Sequence, residues 1–553
     1  MSTLRSGLAF AFVMLGSLTI FSSPTCAAQS SAGEVPAAQF RIAGTVVSTA
    51  GGGTLARTRV TIRDAKNPKD VQSLLTGQDG RFEFHVKAGK YALQGAKRGF
   101  ITANYDQHEQ FSTAIVTGAG LDTESILLKL APSAVLSGRI LDESGEPVRH
   151  TEVTLWREDH STGVSRIVRF RRDIADDQGA YEFTPLDGGN YFLSATATPW
   201  YAVHPATVAP EGIAVTPAMV DRALDVVYPT TYYAGATESE DATPIPIRGG
   251  DCLELDLHLV PVPALHLVFR GQPSGENRYT MPILQKRVFE GLDRPRGREN
   301  SQMIAPGVFE LTTEPGKYTV HLLGPGGNSR INEVDISQDH QEVDTSSGEA
   351  VSNINASVHV QGEDTLPKEL FVALRDEQRR VADYQLLSSQ GEVAFANVAP
   401  GTYDLVAGSQ NDSYSVVRIA SDGHETSGHS LKVPAGSSLS LSLTLMGGSG
   451  RVEGVAKHAG KAVAGAMVVL VPRHPEANRD LFRRDQSDLD GSFLLQSVIP
   501  GTYTVIAIAD GWALDWSRPG VILKYASHGQ TLVVPGQGSH SIQLPDPVEV
   551  QPK

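Results

Sequence analysis

The sequence predicts an all-β protein, a tandem array of about five β-sandwich domains. Three observations carry this. A tight turn followed by an alternating aromatic strand occurs five times, and each time a Gly-x-Tyr opens the next strand. The five tyrosines, Tyr91, Tyr191, Tyr318, Tyr403 and Tyr503, are 85 to 127 residues apart, the size of one sandwich. Units of that length close their own cores, unlike the shorter repeats of solenoids, so the reading is a string of beads. Sustained helical periodicity is nearly absent, Met219 to Val227 being one weak candidate.

The elements follow in order. Phe40-Arg41-Ile42-Ala43-Gly44-Thr45-Val46 is a first strand, Asp79-Gly80 a turn, Phe82 and Phe84 one strand face, and Gly89-Lys90-Tyr91 the next opening. The second unit repeats this with Leu136-Ser137-Gly138-Arg139-Ile140, a Gly145-Glu146-Pro147-Val148 turn, Gly179-Ala180-Tyr181-Glu182-Phe183 and Gly189-Asn190-Tyr191. The third starts at Leu265-His266-Leu267-Val268-Phe269 without the first-strand glycine, then gives Pro306-Gly307-Val308-Phe309 and Gly316-Lys317-Tyr318. The fourth has Gly391-Glu392-Val393-Ala394-Phe395 and Pro400-Gly401-Thr402-Tyr403. The fifth runs from Arg451-Val452-Glu453-Gly454-Val455 through Ala466–Val471, Asp490-Gly491-Ser492-Phe493 and Pro500-Gly501-Thr502-Tyr503. Glycine after Asp accepts positive φ without steric cost. Pro-Gly suits the centre of a type II turn, with the glycine left-handed.

The N-terminus is read as an export signal: Arg5, an uncharged apolar stretch from Gly7 to Phe21, Pro24 as a breaker, and Ala27-Ala28 for cleavage. The expected division is residues 1–28 signal peptide, then 38–131, 132–262 with a long insertion, 263–348, 349–446 and 447–546. No membrane span is expected after cleavage, which places the chain in the periplasm, on the outer surface or in the medium. Only Cys252 then remains, so no intrachain disulfide is available and burial alone holds the cores. Alternation puts Cys252 on the face opposite Leu253, Leu255, Leu257 and Leu259. A net charge of −15 without a sustained Lys/Arg tract argues against nucleic acid as a partner.

The Gly-x-Val opening, Gly-x-Pro-Val turn, Asp-Gly-x-Phe hairpin and Pro-Gly-x-Tyr strand resemble carboxypeptidase regulatory-like domains. The resemblance implies a prealbumin-like (transthyretin-like, Ig-like) sandwich related to the B-type repeats of collagen-binding adhesins. It is strong over 40–130, 134–200 and 450–510 and weaker between 263 and 446. The name invites a peptidase, but none of the sixteen histidines has glutamate three residues later, as a zinc carboxypeptidase requires. His424-Glu425-Thr426-Ser427-Gly428-His429 spaces its histidines five apart, which no helix face would share, and its setting reads as a loop. The resemblance to adhesin B-type repeats also implies Lys–Asn or Lys–Asp isopeptide bonds as an option, for which Lys129, Lys432 and Lys524 in strand-like stretches are the lysines, with no triad assignable. Asp485, Ser487, Asp488 and Asp490, and likewise Asp173, Asp176 and Asp177, are oxygen ligands of a kind calcium uses, out of EF-hand register; acidic turn residues are the default.

No catalytic residue, metal ligand or cofactor is assigned. The candidate ligand-binding residues are aromatic: Phe100, Trp200 and Trp512 stand nine residues after their repeat tyrosines, with Tyr201 and Trp516 nearby. Trp200, Tyr201, Trp512 and Trp516 could stack on a sugar; the structural alternative is that each ring closes one end of a core. The expected function is an exported, non-catalytic multi-domain binding or scaffold protein of the bacterial envelope, its partner an envelope protein or a glycan. The alternatives are a carbohydrate-binding protein acting through the loop aromatics and an accessory subunit of an exported hydrolase.

Overall fold

The structure is a computed structural model that describes residues 39–118, 120–204, 221–270, 282–293, 301–305, 308–322, 329–344, 347–363, 365–409, 413–421, 424–536 and 541–553. The signal-peptide reading falls outside these. Among the described residues no helix is long and apolar enough to cross a membrane.

The chain forms β-sandwich after β-sandwich, each on its own apolar core: Ile42 to Leu130, Ala134 to Leu259, Leu267 to Val343, Ile354 to Leu445 and Val452 to Val550. One pairing scheme recurs in all five. The first strand lies antiparallel to the strand carrying the repeat phenylalanine and parallel to a strand near the end of its unit. Phe40–Ser48 pairs so with Arg81–Val86 and Ile126–Leu130; Ala134–Leu141 with Ala180–Leu186 and Cys252–Glu254. Leu265–Arg270 pairs with Val308–Thr313 and Gln341–Val343; Ser352–Val360 with Glu392–Val398 and Ser438–Gly447. Gly450–His458 pairs with Ser492–Val498 and Ser541–Gln543. The third unit keeps the scheme although its motif is eroded, because strand alternation, rather than the glycine, selects its inner face.

The motif residues prove to be packing devices. Gly80, Gly179, Gly391 and Gly491 have φ between +70° and +79°, as the hairpin turn demands. The first-strand glycine clears a neighbouring backbone: a Cβ at Gly44 would sit 2.0 Å from Ile126 O, and one at Gly138 1.9 Å from Leu255 O. Each repeat tyrosine donates its hydroxyl proton to the carbonyl four residues earlier: Lys87, Asp187, Glu314, Ala399 and Ile499, at 2.6–3.0 Å. The Pro-Gly expectation needs correcting. Gly401 and Gly501 are absent from the positive-φ residues, which here include Asn397 and Ser497 instead. The tyrosine ring lies over each glycine: a Cβ at Gly501 would come within 3.2 Å of Tyr503, while one at Gly401 would make an ordinary 3.5 Å contact with Tyr403.

The helix and loop expectations also change. Of the Met219–Val227 candidate, the described part is a turn followed by the strand Val226–Val227. Among the described residues the one α-helix is Pro519–Ala526, which starts with proline at its first position, where the missing N–H costs nothing. His424–Ser427 is a strand paired with Ser413–Ser421, not a loop.

The units follow one another in sequence but do not stand in file. The fifth packs on the first, the second and the fourth. Leu489 N donates to Ala114 O at 3.1 Å, Ser517 N to Gly163 O at 3.1 Å, and Gly448 N to Ser413 O at 2.9 Å. Arg166 of the second unit donates to Arg379 O, and Arg380 of the fourth to Glu290 O of the third. Phe289 of the third unit enters a cluster with Trp156, Phe192 and Tyr232 of the second.

Candidate functional site

The four aromatic candidates separate into two places. Trp512 and Trp516 belong to a contact between units, and its origin lies in the strand Met467–Pro472. All six residues of that strand are buried. Val468 and Leu470 face the sandwich core, whereas Met467, Val469 and Val471 face a second apolar layer with Phe482, Trp516 and Ile522 of the helix. An unbroken apolar run in place of alternation is the signal of a strand covered on both faces.

This layer meets the first unit around Arg484, whose side chain is 4 % exposed. Its guanidinium lies 4.2 Å from the ring centre of Trp516, 5.3 Å from Phe111 and 5.8 Å from Trp512. Its two terminal nitrogens donate to Glu109 at 3.2 and 2.6 Å, and one also to Ser161 O of the second unit. Trp512 stacks on His108 at 4.9 Å with the planes 6° apart, and Trp516 is only 8 % exposed. The faces a sugar would need are taken by the protein's own cation and rings.

The acidic cluster beside it is similarly occupied. Asp488 forms an ion pair with Lys90 of the first unit and accepts from Ala114 N at 2.8 Å. Gln486 donates to Asp106 O and to Thr113 Oγ1. Asp485 accepts from Leu494 N at 2.7 Å, and Asp490 from Ser492 N at 2.9 Å. Burial pushes the Asp485 carboxyl up to about 6 and raises that of Asp488, against the pull of Lys90. In the second unit, Asp173 and Asp176 accept from backbone amides of their own turn and hairpin. Lys129, Lys432 and Lys524 are all exposed on their elements.

Trp200 and Tyr201 are elsewhere. Trp200 is 86 % exposed and meets Tyr201 edge-on at 5.8 Å. Tyr201 donates to Glu143 Oε1 at 2.5 Å and Tyr228 to Glu143 Oε2 at 3.1 Å, so one carboxylate is held between two phenols. Burial first, then the Glu143 bond, lifts the Tyr201 hydroxyl to about 12. Phe100, the equivalent position in the first unit, packs partly buried against its core. Spacing alone therefore marked three rings with three surroundings. Cys252 is free and exposed, and its neighbours Leu257 and Leu259 are buried.

Sequence reasoning missed Arg484 and Glu109, the pair that organises the contact, because nothing in either unit's own pattern requires them. It also missed a buried ion pair between the third unit's Lys286 and Glu314, 2.9 Å apart and each 9 % exposed in the side chain. Glu238 and Thr230 of the second unit join this pair.

No family model matches the chain, and no curated protein matches it. Among solved structures it is similar to the Bacillus anthracis TIE protein, at 12 % identity over 74 % of each chain with a TM-score of 0.18. A streptococcal ancillary pilin is 10 % identical over 52 % of this chain and 100 % of its own, with a TM-score of 0.20. The minor pilin of Streptococcus agalactiae is 12 % identical over 43 % of this chain and 100 % of its own, also with a TM-score of 0.20. At these scores the likeness carries no argument beyond the sheets already described.

Proposed function

We propose that the chain is an exported, non-catalytic binding or scaffold protein of the bacterial envelope, built from carboxypeptidase regulatory-like sandwiches divided at the boundaries given above. The observation that carries this reading is the Arg484 contact. It spends the aromatic and acidic residues of the fifth unit on holding the first, which gives the sandwiches a fixed mutual arrangement and leaves their outer faces for a partner. A protein partner that spans more than one unit is the expected ligand. Pull-down from envelope extract with the intact chain tests it: capture of a defined protein that Arg484→Ala weakens supports the reading.

Exposure of Trp200 favours one second reading, glycan binding at the Trp200–Tyr201 edge beside Glu143. An exposed ring next to a carboxylate offers stacking and an acceptor for sugar hydroxyls. On a glycan array, strong binding that Trp200→Ala abolishes, with no protein captured from extract, would overturn the scaffold reading in favour of this one.

A further inference from the structure

The junction between the second and third units is a seam of short paired segments. Val226–Val227 runs antiparallel to Val262–Pro263, and Ala264 N donates to Asp225 O at 2.9 Å. Val203 N donates to Leu224 O at 2.8 Å, which sets His204 beside Asp225. Leu265–Arg270 lies parallel to Gln341–Val343 with Leu267 opposite Gln341, so the turn Asp339-His340 stands next to His266. His204 Nδ1 is 2.9 Å from Asp225 Oδ1, and His266 Nε2 is 3.5 Å from the same oxygen. His204 and His266 are 7 % and 1 % exposed.

The protons available do not satisfy this arrangement. Asp339 Oδ1 faces His266 Nδ1 at 2.8 Å and also accepts from the His266 backbone N–H at 3.0 Å. A carboxylate only accepts, so Nδ1 carries the ring proton. In the neutral ring Nε2 then presents a lone pair to the Asp225 carboxylate, itself an acceptor. Nε2 of His266 is buried without a hydrogen-bond partner among the described residues. Two lone pairs facing each other in a buried site repel unless a cation lies between them.

We propose that His204, Asp225 and His266 bind one divalent transition-metal ion of the zinc class, with Asp339 orienting His266. Two imidazoles and a carboxylate suit such an ion, whereas calcium and magnesium want oxygen alone. Metal–ligand distances of about 2.0–2.2 Å in a tetrahedron place ligand atoms roughly 3.3 Å apart; the separations here, 2.9 and 3.5 Å, bracket that value. The Asp339–His266 bond is the outer carboxylate–imidazole contact that fixes a ligating histidine. Three protein ligands leave a fourth position for water. Since His204 and Asp225 come from the second unit's insertion and His266 from the third unit's first strand, the ion clamps the two units together.

The test uses the tag-free chain stripped with a chelator and titrated with Co2+, read by visible absorption, and with Zn2+, read by calorimetry. One equivalent is expected, with the absorption of a tetrahedral ion and a raised unfolding midpoint. His204→Gln and Asp225→Asn lose it, Asp339→Asn weakens it about 10–100-fold, and His340→Gln leaves it unchanged. Circular dichroism confirms that each variant is folded; both ligand substitutions lie in irregular segments outside the strands. Absence of a stoichiometric site, or a site that survives both ligand substitutions, overturns the proposal. So does loss on His340→Gln with retention on His204→Gln. A His266 ring shown by NMR to be doubly protonated at neutral pH would likewise overturn it, with a proton in place of the ion.

Discussion

Replacing Arg484 by alanine should release the last sandwich from the first. The substitution removes three ring contacts and a two-point bond to Glu109, whose side chain is 22 % exposed. Breaking a buried pair from one side costs about 3–5 kcal/mol. Because Glu109 regains some water, the lower end, about 3 kcal/mol, is expected, with the cation–π terms inside that figure. At about 1.4 kcal/mol per decade this makes opening of the contact roughly a hundredfold more frequent. Native-state hydrogen exchange reads it directly. The amides of Ala114 and Leu489, bonded across the contact, should exchange about a hundredfold faster, while Val372 and Leu443 in the fourth core keep their rates. Arg484→Lys keeps the charge but not the fork and should fall between. Acceleration below about threefold, or equal acceleration in the fourth core, would refute the assignment of this contact as the tie.

Other expectations are separately measurable. Lys286→Met strands Glu314 in the seam between the second and third units and should cost about 3–5 kcal/mol in urea unfolding, with Lys286→Met/Glu314→Gln recovering much of it. Asp485 holds its proton up to about 6 when folded and to 3.8 when unfolded, so the native state binds the extra proton between those values. Its stabilising contribution is therefore whole below pH 3.8 and lost as pH rises through 6. Asp485→Asn should flatten that slope in thermal melts, and an unchanged slope would count against the buried carboxyl as its source. Gly138→Ala drives a methyl into a backbone oxygen and should destabilise by more than about 2 kcal/mol. Gly454→Ala meets only the side chains of Phe493 and Leu544 and should cost less, a ranking that chemical denaturation checks.

The sandwich was legible because its rules are local. A turn glycine needs positive φ, a Phe or Tyr every second residue needs one face, and both can be read from one stretch of chain. The Pro-Gly misreading shows the limit of that logic: neither Gly401 nor Gly501 has positive φ, and at Gly501 the crowding comes from a tyrosine ring two residues on. The helix Pro519–Ala526 was missed because eight residues give too short a period, although its proline start was visible. What sequence could not show was which surfaces meet. Glu109 and Arg484 are 375 residues apart, and each looks like an ordinary exposed charge within its own unit. Trp200 and Trp512 share a spacing, yet one stands in solvent and the other against His108, since a loop's surroundings are set by whichever unit packs beside it.

The contact between the first and last sandwiches changes how the molecule carries load. In a linear file of domains, tension applied at the outermost two passes through every linker in turn, and the weakest fold gives way. Here those two are bolted side by side by Lys90–Asp488 and Glu109–Arg484. A pull between them is borne by this contact, its ion pairs, stacked rings and the Leu489–Ala114 backbone bond, while every sandwich stays slack. The array behaves as a closed buckle that must spring before it lengthens, with a threshold that salt lowers little because Arg484 and Asp488 are largely buried.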